Sequence, residues 1–270
     1  MLSVYFRFLK DKMWSILIYA MSTIVFLEMY VALFPTFGSV AQDKINLLIN
    51  SYPKEIWTVL GLDPASLNFG KITTFVATEQ YSIVWPIIVV ILAVSMANSM
   101  IASEVEKGTM EQTLALPLQR WKVFAGRYVA AVSLLAAFSF ATIYAIVPLA
   151  TMHKIDIAGM NSLPLAVSGL LFGVTVFSIA AFGSALFSEK SKSAFLTTFI
   201  VIAMYGANVV GGLKTDLSWL RDYSIFHYFN GSTNLIHGTY VDNYLLFFLG
   251  VSGVAAVLAL VRFTLRDTSV

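Results

Sequence analysis

Residues 82–102, SIVWPIIVVILAVSMANSMIA, run into 103–127, SEVEKGTMEQTLALPLQRWKVFAGR, and then into 127–150, RYVAAVSLLAAFSFATIYAIVPLA. Each flanking run is long enough to cross a bilayer as a helix, which takes about 20 apolar residues. The middle stretch is the longest polar segment of the chain and carries Glu104, Glu106, Lys107, Glu111, Arg120, Lys122 and Arg127. A spanning helix, a compact polar loop and a second spanning helix therefore form the unit from which the rest is read.

Composition supports that reading. The chain is 58% hydrophobic and only 12% charged, against roughly 25% charged residues in a soluble domain, and its mean hydropathy is +0.79. Its net charge of +2 is small and scattered, so nucleic acid is not an expected partner. Cysteine is absent, which excludes disulfides and thiolate metal sites, and no metal site is expected. No Gly/Ser linker or charged tail divides residues 1–270, so one membrane domain is expected. The start, MLSVYFRFLKDKMW, is basic and then apolar like a signal peptide. Its apolar run continues past Phe34 with no A-x-A site, so it is read as a retained first span.

The fold class expected is an all-α integral membrane protein with six spans at 13–35, 82–102, 127–150, 163–187, 194–213 and 243–263. Placing Lys44, Lys54, Lys71, Lys154, Lys214 and Arg221 outside leaves every other Lys and Arg inside. The positive-inside rule then puts both termini and the 103–127 loop in the cytoplasm. The segment Leu2–Lys12 mixes Val4, Tyr5, Phe6, Phe8 and Leu9 with Arg7, Lys10 and Lys12. It reads equally as a short amphipathic helix on the inner interface or as the start of the first span. The outer segment 36–81 repeats Ile45, Leu48, Ile49, Ile56, Val59 and Leu60 at helical spacing around Pro53, which predicts short amphipathic interfacial helices.

Within the polar loop, Thr109 and Gln112 have capping-box spacing, which starts a helix at Met110. Gly108 allows a sharp turn just before that cap. Glu111 falls in the first turn, where the helix dipole favours an acidic group. Pro117 ends the helix after about two turns, and Arg120, Lys122 and Arg127 follow where the chain re-enters the membrane. The expected product is a rigid helical handle on the membrane surface.

The pattern Glu104-x-Glu106-x-Gly108-Thr109-x-Glu111, followed by Leu114, Pro117 and Arg120, resembles the cytoplasmic loop of ABC type-2 permeases, the six-span membrane subunits of ATP-binding-cassette exporters. The long segment after the first span and the ending Arg262-Phe263-x-x-Arg266-Asp267 are similar to that family too. The resemblance implies that Thr109 to Leu116 is a coupling helix docking into a separate ATPase subunit. Glu104, Glu106, Gly108, Thr109, Glu111, Gln112, Pro117 and Arg120 then form the ATPase-contact region, the glutamates acting as contacts or orienting charges. It also implies two ATPase copies, a second copy of this permease or a homologous one, and the cytoplasmic membrane of a prokaryote. This chain has no G-x-x-x-x-G-K-[ST] phosphate loop. It is therefore expected to be no enzyme and to carry no cofactor, with ATP and Mg on the partner.

Polar groups within the spans are the expected translocation-path residues. Glu28 is one, since ionisable groups inside a span usually face a bundle interior or wet cavity. With only Met29 to Phe34 beyond it, it reads equally as lying near the outer interface. The amides Asn98 and Asn208 are the others, and such groups otherwise glue helices together. Gly169 and Gly173 form a GxxxG whose face continues through Ala180 and Ser184, a close-packing surface.

Two other classes compete with this one. A membrane-embedded hydrolase would use Gly250-Val251-Ser252-Gly253, but His153, His227 and His237 all fall in outer segments. A secondary transporter would show internal repeats or paired intramembrane charges. The spans favour amphipathic cargo only in the broadest sense, and no specific substrate is read from them.

Overall fold

The computed structural model describes residues 1–51, 70–110 and 118–266, with backbone only over 37–51. Helix is the only regular secondary structure among the described residues, and six of the helices are long and apolar enough to span a membrane. In hydrocarbon each backbone N–H and C=O needs a partner within the protein, and a helix supplies these internally.

Helix α1 runs unbroken from Leu2 to Ser51. Residues Leu2–Lys12 are thus the first turns of the spanning helix rather than a separate surface helix, and Ile45, Leu48 and Ile49 lie on its continuation. The expected helices around Pro53, Ile56, Val59 and Leu60 lie outside the described residues. Helix α2 covers Ile72–Met100 and contains a wide π-type stretch over Ala77–Val84.

The start of α2 differs from the reading of 36–81 as a non-spanning segment. Thr73, Thr74, Thr78, Glu79 and Gln80 keep the hydropathy of this stretch low. The fold nevertheless buries Gln80 completely and lets its Nε2 donate to the Thr23 carbonyl of α1 at 3.3 Å. A polar side chain can sit inside a span when the neighbouring helix offers it an acceptor.

After α2 come the one-turn α3 (Ala102–Glu106), the span α4 (Arg120–Tyr144) and its continuation α5 (Ile146–Met152). The spans α6 (Ser162–Leu186) and α7 (Lys190–Leu213) follow. A 3-10 segment (Thr215–Tyr223), the short α8 (Ile225–Tyr228) and a π turn (Thr233–His237) lead to the last span, α9 (Tyr244–Leu265). Successive spans alternate in direction. The start of α1, helix α3, the α6–α7 connection and the end of α9 therefore share one end of the bundle, called here the loop end.

Helix α6 is the centre, packed by α2, α4, α7 and α9. Its small residues make that possible. A Cβ on Gly169 would lie 2.7 Å from Trp85 Cη2, and one on Gly173 would lie 3.2 Å from Val89 Cγ1. The GxxxG face therefore closes on α2 within the bundle. Trp85 is fully buried there; its Nε1 donates to Thr142 Oγ1 at 2.9 Å, and its ring stacks on Phe229 at 5.4 Å. That polar bond satisfies the indole inside an apolar core.

Candidate functional site

At the loop end α2 stops at Met100, and Ile101 (φ −136°, ψ −66°) breaks the helix. The chain restarts at once as α3, whose Ala102 N–H donates to Ser184 Oγ of α6 at 2.9 Å. Helix α3 closes with a Schellman turn. Gly108 adopts φ +68°, its N–H reaches the Val105 carbonyl at 3.0 Å, and the Thr109 N–H reaches the Glu104 carbonyl at 2.9 Å. Only glycine enters the left-handed region without a steric penalty. Gly108 therefore shapes the end of α3, just ahead of the next helix.

The Thr109 hydroxyl donates back to the Glu104 carbonyl at 3.3 Å. Met110 is helical and 2% exposed. Glu111, Gln112 and Pro117 lie outside the described residues, as does the rest of the expected handle.

The two remaining glutamates face neighbouring spans. Glu104 takes a fork of hydrogen bonds from Arg127 Nη2, at 2.9 Å to each carboxylate oxygen. Arg127, with its side chain 9% exposed, also donates through Nη1 to the Met100 carbonyl. Glu106 Oε2 accepts the Lys190 N–H at 3.0 Å. That is the first residue of α7, so Glu106 serves as its N-terminal cap from another element, where the helix dipole favours a negative group.

Arg120 donates to the Arg266 carbonyl at 2.6 Å and the Thr264 carbonyl at 3.4 Å, closing the end of α9. Arg266 in turn donates to the Ala185 and Phe187 carbonyls at 3.2 and 3.1 Å, closing the end of α6, and to Ser188 Oγ. Burial lowers the Arg266 pKa, and nearby Arg262 adds to that effect.

Each span that ends at the loop end thus has its last carbonyls met by an arginine: α2 by Arg127, α9 by Arg120 and α6 by Arg266. Orphan carbonyls and the negative end of the dipole both call for a cation there. In the sequence Arg127 counts as a topology charge and Arg266 as that and as part of the family-like ending, and these roles go unseen. A signal was available for Arg266, which directly follows the last apolar helix; Arg127 lies 27 residues from the carbonyl it meets and gave none.

Beside this network lies a 130 Å³ hollow lined by Ser3, Val4, Arg7, Phe8, Asp11, Glu104, Leu118 and Arg127. Helix α1 comes this close because Gly126 has no side chain: a Cβ there would lie 3.2 Å from the Met1 carbonyl oxygen.

The polar span residues do not converge with that network or with one another. Glu28 Oε1 pairs with His153 Nε2 at 2.7 Å, joining α1 to the residue just after α5 at the far end. Asn98 lies in the last turn of α2 at the loop end, and Asn208 is buried in α7. All three keep a buried side-chain oxygen that no donor among the described residues meets.

A membrane-facing groove of 390 Å³ runs between α2 and α7, lined by Ser82, Ile83, Pro86, Ile87, Val90, Ile91, Thr198, Val201, Ile202, Tyr205 and Phe226. None of the three polar residues is among its lining. Ser252, the nucleophile a hydrolase would need, is buried and donates to the Phe248 carbonyl of its own helix at 2.6 Å.

The family described as ABC-2 family transporter protein matches residues 8–268. The chain belongs to that family. As an ABC-2 permease it is the membrane subunit of an ABC exporter, and it works with an ATP-binding partner, the ATPase activity residing in that separate subunit. Comparison with curated proteins gives no match. For this permease, the loop end is where polar groups from α2, α4, α6, α7 and α9 are tied together, and it adjoins the loop whose sequence carries the family resemblance.

Proposed function

We propose that this ABC-2 permease pairs with a second copy or a homologous permease and is driven by two ATPase subunits that dock on residues 109–116. ATP and Mg act on those subunits, and this chain contributes the lever. Thr109, Glu111 and Gln112 belong to the docking face and Pro117 ends it. Glu104, Glu106, Gly108 and Arg120 hold its base.

The observation that carries this reading is the fixation of α3, which leads directly into the handle. Its start bonds to Ser184, its Glu104 to Arg127 and its Glu106 to Lys190. A lever works only if its root is stiff, because rigid-body switching needs discrete packed contacts. Basic residues Arg7, Lys10, Lys12, Lys107, Arg120, Lys122 and Arg127 at this end support a cytoplasmic placement, here the inner face of a prokaryotic cytoplasmic membrane.

Cargo passes where two copies face each other, with Glu28, Asn98 and Asn208 as path residues. Their unmet oxygens are groups that water or a polar cargo atom would satisfy. The test is affinity capture of the ATPase from membranes. Thr109→Pro and Glu111→Arg are expected to abolish capture or to separate ATP hydrolysis from transport. Normal complex and normal transport in both variants would overturn the docking assignment.

A further inference from the structure

We propose that α3 distributes the ATPase stroke to three spans at once, and that Glu106 is the positioning residue that carries it to α7. The inference rests on reading 109–116 as the docking helix and adds the route by which its motion spreads. Along the chain, a pulled loop would move only α2 and α4, the helices it joins. The side chains extend this reach. Within the five residues of α3, one group bonds to α6, one to α4 and one to α7.

The links differ in character. Glu104–Arg127 is a charge-assisted fork with a guanidinium buried against the Met100 carbonyl, a geometry suited to permanent attachment. Ala102–Ser184 joins a backbone N–H to a fully buried hydroxyl in the last turn of the central helix α6. Glu106–Lys190 is exposed, so water competes for it and it can open and close.

Helix α7 is also among the least enclosed spans. Phe195, Phe199 and Ile202 on it are more than half exposed, and it forms one wall of the α2–α7 groove. Moving α7 against α2 changes the width of that groove. The exposed cap at Glu106 is therefore placed to couple the handle to the groove.

The chain contains no cysteine, so a single Ser191→Cys reports on the first turn of α7, where Ser191 is exposed. The experiment uses the permease co-purified with its ATPase in nanodiscs. It compares the rate at which a polar maleimide modifies this thiol with and without ATP and vanadate. In the parent the nucleotide is expected to change the rate.

Glu106→Ala removes the acceptor and should make that change about fivefold smaller, the weight of one N-terminal cap, while the ATPase still co-purifies. Glu106→Gln keeps a carbonyl acceptor and should retain the response. A parent-like response in Glu106→Ala, or no nucleotide response in the parent with ATPase bound, would overturn the distribution role alone. Failure of the parent to capture an ATPase would overturn the docking reading with it.

Discussion

Glu104 and Arg127 lie 23 residues apart and meet in a symmetric fork, both carboxylate oxygens 2.9 Å from the same Nη2. The other guanidinium nitrogen holds the Met100 carbonyl. One arginine therefore ties the end of the second span, the root of the polar loop and the third span into a single knot.

Removing Arg127 strips the Met100 carbonyl of its donor and leaves Glu104, whose side chain is 28% exposed, without its fork. Arg127→Ala is expected to lower stability by about 1–3 kcal/mol, mostly through the Met100 carbonyl left without its donor. Arg127→Lys keeps the charge but lacks the planar fork, and should lie between that variant and the parent. Thermal unfolding in nanodiscs, followed by the aggregation midpoint, gives the order. Equal midpoints for parent and alanine variant would refute it.

A Cβ added at Gly108 would meet no atom within 4 Å, so a substitution there is felt through its φ of +68° alone. Gly108→Val is expected to cost about 1–2 kcal/mol locally, unwinding the Schellman turn and mis-aiming the handle. The ATPase should be captured about fivefold or more weakly, while the helical circular dichroism stays unchanged. Gly108→Asn, tolerated in the left-handed region, should recover most of the binding.

Gly169 tests the centre of the bundle. A Cβ there would lie 2.7 Å from the Trp85 ring, and that ring is boxed in by Phe138 and Phe229. Gly169→Ala should cost about 1–3 kcal/mol by overpacking and disturb Trp85 fluorescence. The same change at Gly206, where no atom lies within 4 Å, should be close to neutral.

His227 supplies a pH dependence away from the spans. Burial lowers its pKa, the Arg221 charge lowers it further, and Asp222 partly opposes both. Its neutral form is therefore favoured in the folded protein. The contribution is present above the ordinary histidine value of about 6.5 and is lost as pH falls through the lower folded value. Melting temperature should fall on acidification from about pH 6.5 down to the lower folded value, and less steeply in His227→Asn. Identical pH profiles for the two proteins would rule this out.

Most of the architecture was legible in the chain, because hydrocarbon length is a local property. The runs at 163–187, 194–213 and 243–263 correspond to helices Ser162–Leu186, Lys190–Leu213 and Tyr244–Leu265. Legibility ended where polarity is satisfied at a distance. Gln80 looked like loop because its acceptor, the Thr23 carbonyl, lies 57 residues away. Glu28 looked solitary because its partner His153 lies 125 residues away.

The same division holds at the loop end. By itself the sequence determined that six apolar runs span a membrane, that a polar loop joins the second and third, and that this loop carries the family pattern. Each of these depends on neighbours in the chain: apolar length, cap spacing, a proline. Only the tertiary structure decided what the charges do. It set Glu104 on Arg127, Glu106 on the first turn of α7, Arg120 on the end of α9 and Arg266 on the end of α6. Helix ends present the same unpaired groups whatever their sequence, so the partner of each is chosen by which ends the packed bundle brings together.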